Sequence, residues 1–393
     1  MKGVVWPLIV TMAIQALVSL VVYTPPVLAP VAQTEIGLPA SAVGIVTALI
    51  YLAATFTAFS AGNLINRFGA LRASQISLVF AAAGMVSMAS ANAWLVVLGA
   101  LVIGTGYGVV TPASSAILAD RTPEGMRAFI FSLKQTGVPI GGAIAGAAIP
   151  VLIVGLGWKE AALITAASSL LLAIVVQPYR AGVDLSPHAP RPAAPVHILE
   201  PFKLVMAHPR LRELAFASFS YSGIQMCMGS FLVVFLTERV GLTVSGAGAA
   251  LSTAMVAGTI GRIMWGIIAD NWTSPRTVLG TLGTVMAFSA FVTAAMAPTW
   301  PYAVMLLVSF IFGASAIGWN GVFLAEVVRI APPGTAGSAT GASLATTYAG
   351  VVFLPTVFWL IVHISGSYAV AFVAVGCFTL WRGSYFFRRA SAG

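Results

Sequence analysis

Long runs of apolar residues, interrupted by only a few polar positions, recur along the whole chain. A helix of about 20 such residues crosses the roughly 30 Å hydrocarbon core of a membrane. The pattern therefore predicts an all-α integral membrane protein with twelve transmembrane helices, called spans 1 to 12 in chain order. They are expected at residues 5–31, 40–65, 71–91, 93–118, 127–151, 158–177, 210–236, 244–269, 275–296, 300–324, 334–362 and 366–387.

The longest polar stretch lies in the middle of the chain, and it divides the spans into two sets of six. It is rich in proline, which favours an extended connection, with a short helix expected at 200–208. We therefore predict an N-terminal six-helix bundle at 1–178, a cytoplasmic linker at 179–209 and a C-terminal six-helix bundle at 210–393.

The two predicted bundles resemble each other in sequence, which indicates pseudo-symmetry. Residues 132–136 of span 5 read SLKQT, and residues 343–347 of span 11 read SLATT. A Gly-xxx-Asn sequence at 62–66 follows span 2, and a Gly-xxx-Asp sequence at 266–270 follows span 8. Internal repeats of this kind are typical of transporters whose two bundles rock about a central site.

Composition and charge support the membrane assignment. Only 7% of the residues are charged, whereas soluble domains contain about 25%. The net charge is +9, but the basic residues gather on one side of the predicted topology, and only Lys159 and Arg239 fall in outer segments. By the positive-inside rule both termini are cytoplasmic, in a cell inner (plasma) membrane. The basic excess therefore does not indicate a nucleic-acid partner, and the expected partners are a small anionic solute and the lipid bilayer. We expect a monomer.

The sequence offers no enzyme constellation. It has no paired carboxylates, no phosphate-binding loop and no Ser-His-Asp set at a common depth. The two cysteines both lie within predicted spans and have no metal-ligand spacing. We therefore expect neither a catalytic function nor a cofactor or metal, and ATP-driven transport is disfavoured.

Two cations stand out because they fall where lipid should be. Lys134 lies about 10 Å and Arg262 about 12 Å inside the predicted cytoplasmic edge, at 1.5 Å per residue. A charge at such a depth costs roughly 2.5–3.5 kcal/mol and marks a functional site by default. Since all ten acids fall in loops or near the ends of predicted helices, we expect no buried acid in a span and infer that the missing negative charge comes from the substrate. The alternatives are a lysine that snorkels to the interface and an arginine that clamps backbone carbonyls or Asp270.

Polar and aromatic residues at similar depth are candidates to complete a pocket, although each could instead form helix–helix hydrogen bonds. The candidates for substrate binding, besides the two cations, are Gln15, Tyr23, Tyr107, Gln135, Tyr221, Trp319, Asn320, Thr347 and Tyr348. Pro25 and Pro26 are expected to break span 1 near its outer end, either as a gate or as a static kink.

The segment GNLINRFGALR at 62–72 resembles the loop between helices 2 and 3 of the major facilitator superfamily, which usually reads G-x-L-x-D-R-x-G-R-R. The resemblance covers essentially the whole chain and implies gating roles for Gly62, Asn66 and Arg67, and for Gly266 and Asp270 in the second half. Two departures are Asn66, where the family has Asp, and Ala100, where many members have an intramembrane Arg. Standard proton coupling is therefore not implied.

Within that superfamily, the segment GRIMWGIIAD at 261–270 resembles span 8 of oxalate/formate antiporters and monocarboxylate transporters. In those proteins the matching arginine binds the substrate carboxylate, a role that the resemblance assigns to Arg262. Their second cation lies in helix 11, where this chain has Ala345, Thr346 and Thr347. Lys134, in the symmetry-related span 5, is the candidate replacement.

The sequence as a whole predicts a secondary active transporter of a small organic anion, a mono- or dicarboxylate, that works by alternating access. Proton symport and anion exchange both remain open. The main alternative is an efflux transporter of the same fold for neutral or anionic drugs or metabolites. An inorganic anion such as nitrate or phosphate would satisfy the same charges. A membrane receptor or assembly factor would tolerate the loss of Lys134.

Overall fold

The computed structural model describes residues 2–119, 121–122, 127–184, 199–332 and 336–388, and these contain helices and turns but no strands. Twelve stretches of the described residues are long and apolar enough to cross a membrane, as predicted. The α-helices are α1 Lys2–Ile36, α2 Val43–Phe68, α3 Ala70–Ala89, α4 Ala93–Ala119, α5 Arg127–Gln135, α6 Gly137–Leu156, α7 Trp158–Val175, α8 Arg180–Asp184, α9 Leu199–Ala207, α10 Pro209–Glu238, α11 Val244–Asn271, α12 Pro275–Ala294, α13 Tyr302–Ala316, α14 Asn320–Ile330, α15 Ala336–Ser365 and α16 Tyr368–Arg388.

The chain forms two compact units. One contains residues 1–42 and 46–195, and the other contains 43–45 and 196–393. Within the predicted linker, residues 185–198 lie outside the described part of the chain. The short helix expected at 200–208 is present as α9.

In each unit, a glutamate at the end of the first span contacts residues at the start of the last span. In the first unit, Glu35 accepts a hydrogen bond of 2.9 Å from the Trp158 indole and pairs with Lys159 at 2.6 Å. In the second unit, Glu238 accepts a hydrogen bond of 2.7 Å from the Tyr368 hydroxyl. The repetition of an acid–aromatic contact at equivalent helix ends agrees with the internal repeat seen in the sequence.

A long-range contact fixes the opposite end of the first unit. The Asp184 carboxylate accepts hydrogen bonds from the backbone N–H groups of Leu71 (2.8 Å) and Arg72 (3.0 Å), so it caps the start of α3 from a position 113 residues away. The cap also requires Gly69, whose φ is +90°, because a side chain there would collide with Asp184. Sequence reasoning missed Asp184, since nothing in its local sequence points to α3.

We expect Asp184→Ala to lower the free energy of unfolding by about 1–2 kcal/mol, because the two α3 amides would lose their acceptor. Asp184→Asn keeps an amide oxygen that can cap, so it should cost clearly less. Thermal unfolding of the purified variants, followed by tryptophan fluorescence, checks both values. Equal melting temperatures for wild type and Asp184→Ala would show that the cap contributes nothing measurable.

The structure of span 1 differs from the prediction. The predicted break at Pro25 and Pro26 is wrong, because α1 continues as a helix from Lys2 to Ile36 through both prolines. A proline in a helix removes one backbone donor, but packed neighbours and hydroxyl side chains let transmembrane helices tolerate it. The helix is also buried around the two prolines, since Tyr23 is 3% and Val27 0% exposed.

Spans 5 and 10, predicted to be continuous, are interrupted. In span 5 the helix stops at Gln135 and resumes at Gly137, because Pro139 has no N–H to donate to the Gln135 carbonyl four residues earlier. In span 10 the residues 317–319 form a turn between α13 and α14. Helices interrupted inside the membrane are tolerated where neighbouring groups satisfy the released backbone atoms, and transporters build binding sites from them.

Candidate functional site

Lys134 lies in the last turn of α5, beside the interruption of span 5. Its side chain is only 2% exposed, and its ammonium donates a 2.9 Å hydrogen bond to the side-chain oxygen of Gln15 in α1. Thr111 in α4 donates to the same oxygen at 3.4 Å. The structure therefore joins two of the predicted substrate-binding residues, Lys134 and Gln15, by a direct hydrogen bond. The side chain reaches into the protein, which argues against the snorkelling alternative.

The surroundings of Lys134 do not neutralise it. Among the described residues, no carboxylate forms an ion pair with Lys134, and its partner is a neutral amide. A buried charge is normally paired, because desolvation without compensation costs several kcal/mol. Side chains from α1, α4 and α5 thus meet at this buried ammonium group.

The other predicted substrate-binding residues of the first unit differ in how far they are buried. Tyr107 is half-buried and makes an edge-to-face contact with Tyr51, with ring centroids 5.4 Å apart. Tyr23 is buried at 3% exposure, whereas Gln135 is exposed. The structure therefore groups Lys134 with Gln15 and Thr111, and substrate roles for Tyr23, Tyr107 and Gln135 stay predictions.

Arg262 lies in α11 and faces the interruption of span 10. Its Nε donates a 3.2 Å hydrogen bond to the carbonyl of Ile317, the residue that follows α13. Trp265, one helical turn later, donates a 3.0 Å hydrogen bond to the carbonyl of Ala314. The last carbonyls of a helix carry partial negative charge, so a guanidinium is well matched to them. This is the carbonyl clamp considered in the sequence analysis, and a substrate role for Arg262 stays a prediction.

Glycines let span 8 approach span 10 closely. A methyl group on Gly261 would lie about 3.0 Å from the Ala314 Cα, and one on Gly313 would collide with the Ala254 carbonyl. This close approach brings Arg262 and Trp265 within hydrogen-bond distance of the Ile317 and Ala314 carbonyls.

We expect Gly313→Ala to destabilise the protein by about 1–3 kcal/mol, the usual effect of overpacking a tight contact. Gly321→Ala is the matched control, since a methyl group there meets no atom within 4 Å. The control should be neutral or more stable by up to about 1 kcal/mol, because alanine favours helix over glycine. Melting temperatures of the two variants in one detergent test the pair. Equal stability would mean that the helices separate without cost.

Trp319 and Tyr221 are enclosed beside the same interruption. Trp319 is 0% and Tyr221 1% exposed, and their rings meet edge to face with centroids 5.7 Å apart. The Trp319 indole donates to the Gln225 side chain at 3.1 Å, and the Tyr221 hydroxyl donates to the Leu279 carbonyl at 2.7 Å. Both candidates therefore support the interruption from inside the second unit. Direct contact with a substrate stays a prediction for them.

The other predicted substrate-binding residues of the second unit differ in their burial and hydrogen bonds. Asn320 begins α14 and donates to the Ile317 carbonyl at 3.5 Å, so it joins Arg262 on one backbone oxygen. Thr347 is buried and donates to the Ser343 carbonyl at 3.1 Å. Tyr348 is 40% exposed.

Glu326 corrects the expectation that no acid lies within a span. It belongs to α14, is 4% exposed, and forms an ion pair with Arg329, whose Nε and Nη2 donate at 2.7 and 2.6 Å. The predicted span ends at 324, whereas the spanning stretch continues to Ile330. This buried carboxylate pairs with the arginine one turn later on its own helix.

The described residues that were predicted to act in gating lie at exposed or loosely packed positions. A methyl group on Gly62 or Gly266 would meet no atom within 4 Å. Arg67 is exposed over the Phe68 ring, and Asp270 is exposed, while the side chain of Asn66 lies outside the described part. Their gating roles therefore stay predictions.

Comparison with known proteins extends these observations. The chain is 23% identical over 369 residues to the hexuronate transporter of Bacillus subtilis, covering 88% of this chain and 85% of that protein. It is 24% identical over 316 residues to the fosmidomycin resistance protein of Escherichia coli, covering 79% and 75%. A shorter match, 26% identical over 151 residues, covers 38% of this chain and 34% of a 4-hydroxybenzoate transporter of Pseudomonas putida.

Solved structures share the fold. A bacterial homolog of the human lysosomal transporter Spinster, in an inward-facing and occupied conformation, aligns with a TM-score of 0.76 at 15% identity, over 100% of this chain and 98% of that one. The nucleoside transporter NupG aligns with a TM-score of 0.77 at 15% identity, over 97% of this chain and 99% of that one. The sequence profile of the Major Facilitator Superfamily matches residues 11–355. The chain therefore belongs to the major facilitator superfamily, a family of membrane transporters.

Proposed function

We propose that the protein is a secondary active transporter of a small organic anion, a mono- or dicarboxylate, and that the anion pairs with Lys134. The observation that carries the proposal is the buried ammonium of Lys134, whose partner is the neutral side chain of Gln15. An anionic substrate would complete this coordination and offset the cost of burial. Occupancy would then favour the closed, dehydrated conformations through which alternating access proceeds.

The names of three relatives agree with this substrate class. They are described as transporters of hexuronate, sulfoacetate and 4-hydroxybenzoate, all organic anions. The closer resemblance to oxalate/formate antiporters and monocarboxylate transporters rests on the motif around Arg262 alone. That finer assignment, together with the choice between proton symport and anion exchange, is part of the proposal.

Efflux of a neutral or anionic compound is the second candidate. The similarity to a fosmidomycin resistance protein favours it. The two candidate functions differ in the direction of net transport. Both need a site that binds the transported compound. A buried cation without an acidic partner is poorly suited to a cationic drug in either direction.

A thermal-shift screen of the purified protein tests the substrate class. The panel contains mono- and dicarboxylates, sulfate, nitrate, phosphate, neutral sugars and a cationic dye. A ligand present at 100 times its dissociation constant should stabilise the protein by about 2.7 kcal/mol. We expect one group of carboxylates to raise the melting temperature and the cation to leave it unchanged. Stabilisation by neutral or cationic compounds alone would contradict the proposal.

A further inference from the structure

A groove on the surface of the first unit lies between α3 and α7. Its volume is about 460 Å³, and its walls are apolar side chains of both helices. Val79 on α3 and Ile174 on α7 are 49% and 69% exposed, respectively. Exposed apolar side chains on spanning helices face the acyl chains of the bilayer. The groove is therefore the size and chemistry of a lipid-chain contact.

A polar cluster closes one end of this groove. The Arg72 guanidinium donates from Nη1 to the side-chain oxygens of Gln75 (3.2 Å) and Gln177 (3.5 Å). Gln75 is 4% exposed and its own nitrogen donates to the Ala173 carbonyl and the Gln177 oxygen, both at 2.8 Å. The amide oxygen of Gln75 is thus fixed toward Arg72, and the guanidinium is held in place at the end of the groove.

The charge of this cluster is positive. Among the described residues, Arg72 forms no ion pair with a carboxylate. The nearby Asp184 carboxylate caps α3 and lies 3.4 Å from Arg180, so a second arginine faces it. The Nε and Nη2 groups of Arg72 can therefore serve an external anion.

The polar cluster lies at the end of its spans, at the depth where a lipid headgroup is expected. Arg72 stands in the first turn of α3, and Gln177 stands in the last turn of the spanning stretch Trp158–Tyr179. Both are at the end of their span on the side where the basic residues gather, which the positive-inside rule places in the cytoplasm. Anionic lipids are enriched in the cytoplasmic leaflet, and basic pockets between spanning helices bind their headgroups.

We propose that this groove binds one anionic phospholipid, with its phosphate on Arg72 and an acyl chain between α3 and α7. The site is separate from Lys134 and does not depend on the transported substrate. Because the lipid would contact both α3 and α7, it would hold the outer helices of the first unit together.

Native mass spectrometry of delipidated protein tests the site. The protein is titrated with phosphatidylglycerol or phosphatidylcholine of identical acyl chains, and the bound fraction is counted. We expect wild type to bind one phosphatidylglycerol tightly. Arg72→Ala should lower the affinity for phosphatidylglycerol about fivefold, because that is the contribution of one arginine near an anionic lipid surface. Arg210→Ala, which removes an exposed arginine elsewhere, should bind as wild type does. Glycerol phosphate should not compete, since it lacks the chain.

A second variant tests the lipid site if Arg72→Ala does not fold. Ile174→Trp fills the groove without touching the charge, and it should also weaken phosphatidylglycerol. Equal binding of the two lipids by wild type would overturn the proposal. The proposal would also be overturned if Arg72→Ala or Ile174→Trp bound phosphatidylglycerol as wild type does, or if glycerol phosphate competed fully with the lipid.

Discussion

Replacing Lys134 by Met removes the response to the transported anion while leaving the empty protein at least as stable as wild type. The reason is that the ammonium is buried against a neutral amide. Without the anion its burial is costly, so the apolar methionine should be neutral or stabilising. With the anion, the loss of one partner of a buried charge pair costs about 2–5 kcal/mol, so affinity should fall about 30-fold or more.

The measurement is a melting temperature with and without the anion that stabilises wild type, followed by a binding isotherm. Lys203→Met is the control, since that lysine is exposed on α9. It should match wild type in both measurements. A Lys134→Met protein that is less stable when empty but binds the anion normally would show that the lysine is only structural.

Replacing Arg262 by Ala lowers both stability and transport. The variant loses the hydrogen bond from a charged donor to the Ile317 carbonyl, which keeps only the longer contact with Asn320 at 3.5 Å, so we expect a cost of about 1.5–3 kcal/mol. If Arg262 also pairs with the substrate, anion affinity falls as well. Arg262→Lys should recover only part of either loss, because lysine lacks the planar fork that serves two acceptors.

Trp265→Phe separates the two roles of Arg262. It removes the neighbouring hydrogen bond to the Ala314 carbonyl but no charge. A purely structural clamp predicts that Trp265→Phe and Arg262→Ala both lower the melting temperature, with anion affinity unchanged in each. A substrate role predicts that affinity falls in the arginine variants alone. Arg239→Ala, at the exposed end of α10, controls for the loss of charge.

The number of spans follows from the sequence because hydrophobic length is a sufficient signal for a helix in lipid. The interruptions of spans 5 and 10 do not follow from hydrophobic length, since each span is long enough to be read as one helix. Pro139 is a local signal for the first interruption. At the second, Arg262 and Trp265 donate to carbonyls of a different helix, and such partners cannot be identified from span 10 alone. The prolines of span 1 led to the opposite error, a predicted break where the helix continues.

The candidate site was predictable where a single residue violated a strong rule. Lys134 stood out because lipid excludes charge, and Gln15 was chosen for its depth, but their contact became visible only in the fold. Glu326 was missed because the apolar run was ended too early, and Asp184 because its partners are backbone amides in a distant helix. Contacts between residues far apart in the chain leave no local pattern.

The most direct test of the account is counterflow in proteoliposomes. Vesicles containing wild type or Lys134→Met are loaded with the unlabelled anion that stabilises the protein, and uptake of the labelled anion is followed. We predict accumulation by wild type, strong inhibition by other carboxylates and no accumulation above empty vesicles for Lys134→Met. Accumulation by Lys134→Met at the wild-type rate would contradict the account, because the buried lysine would then not be the site of the anion.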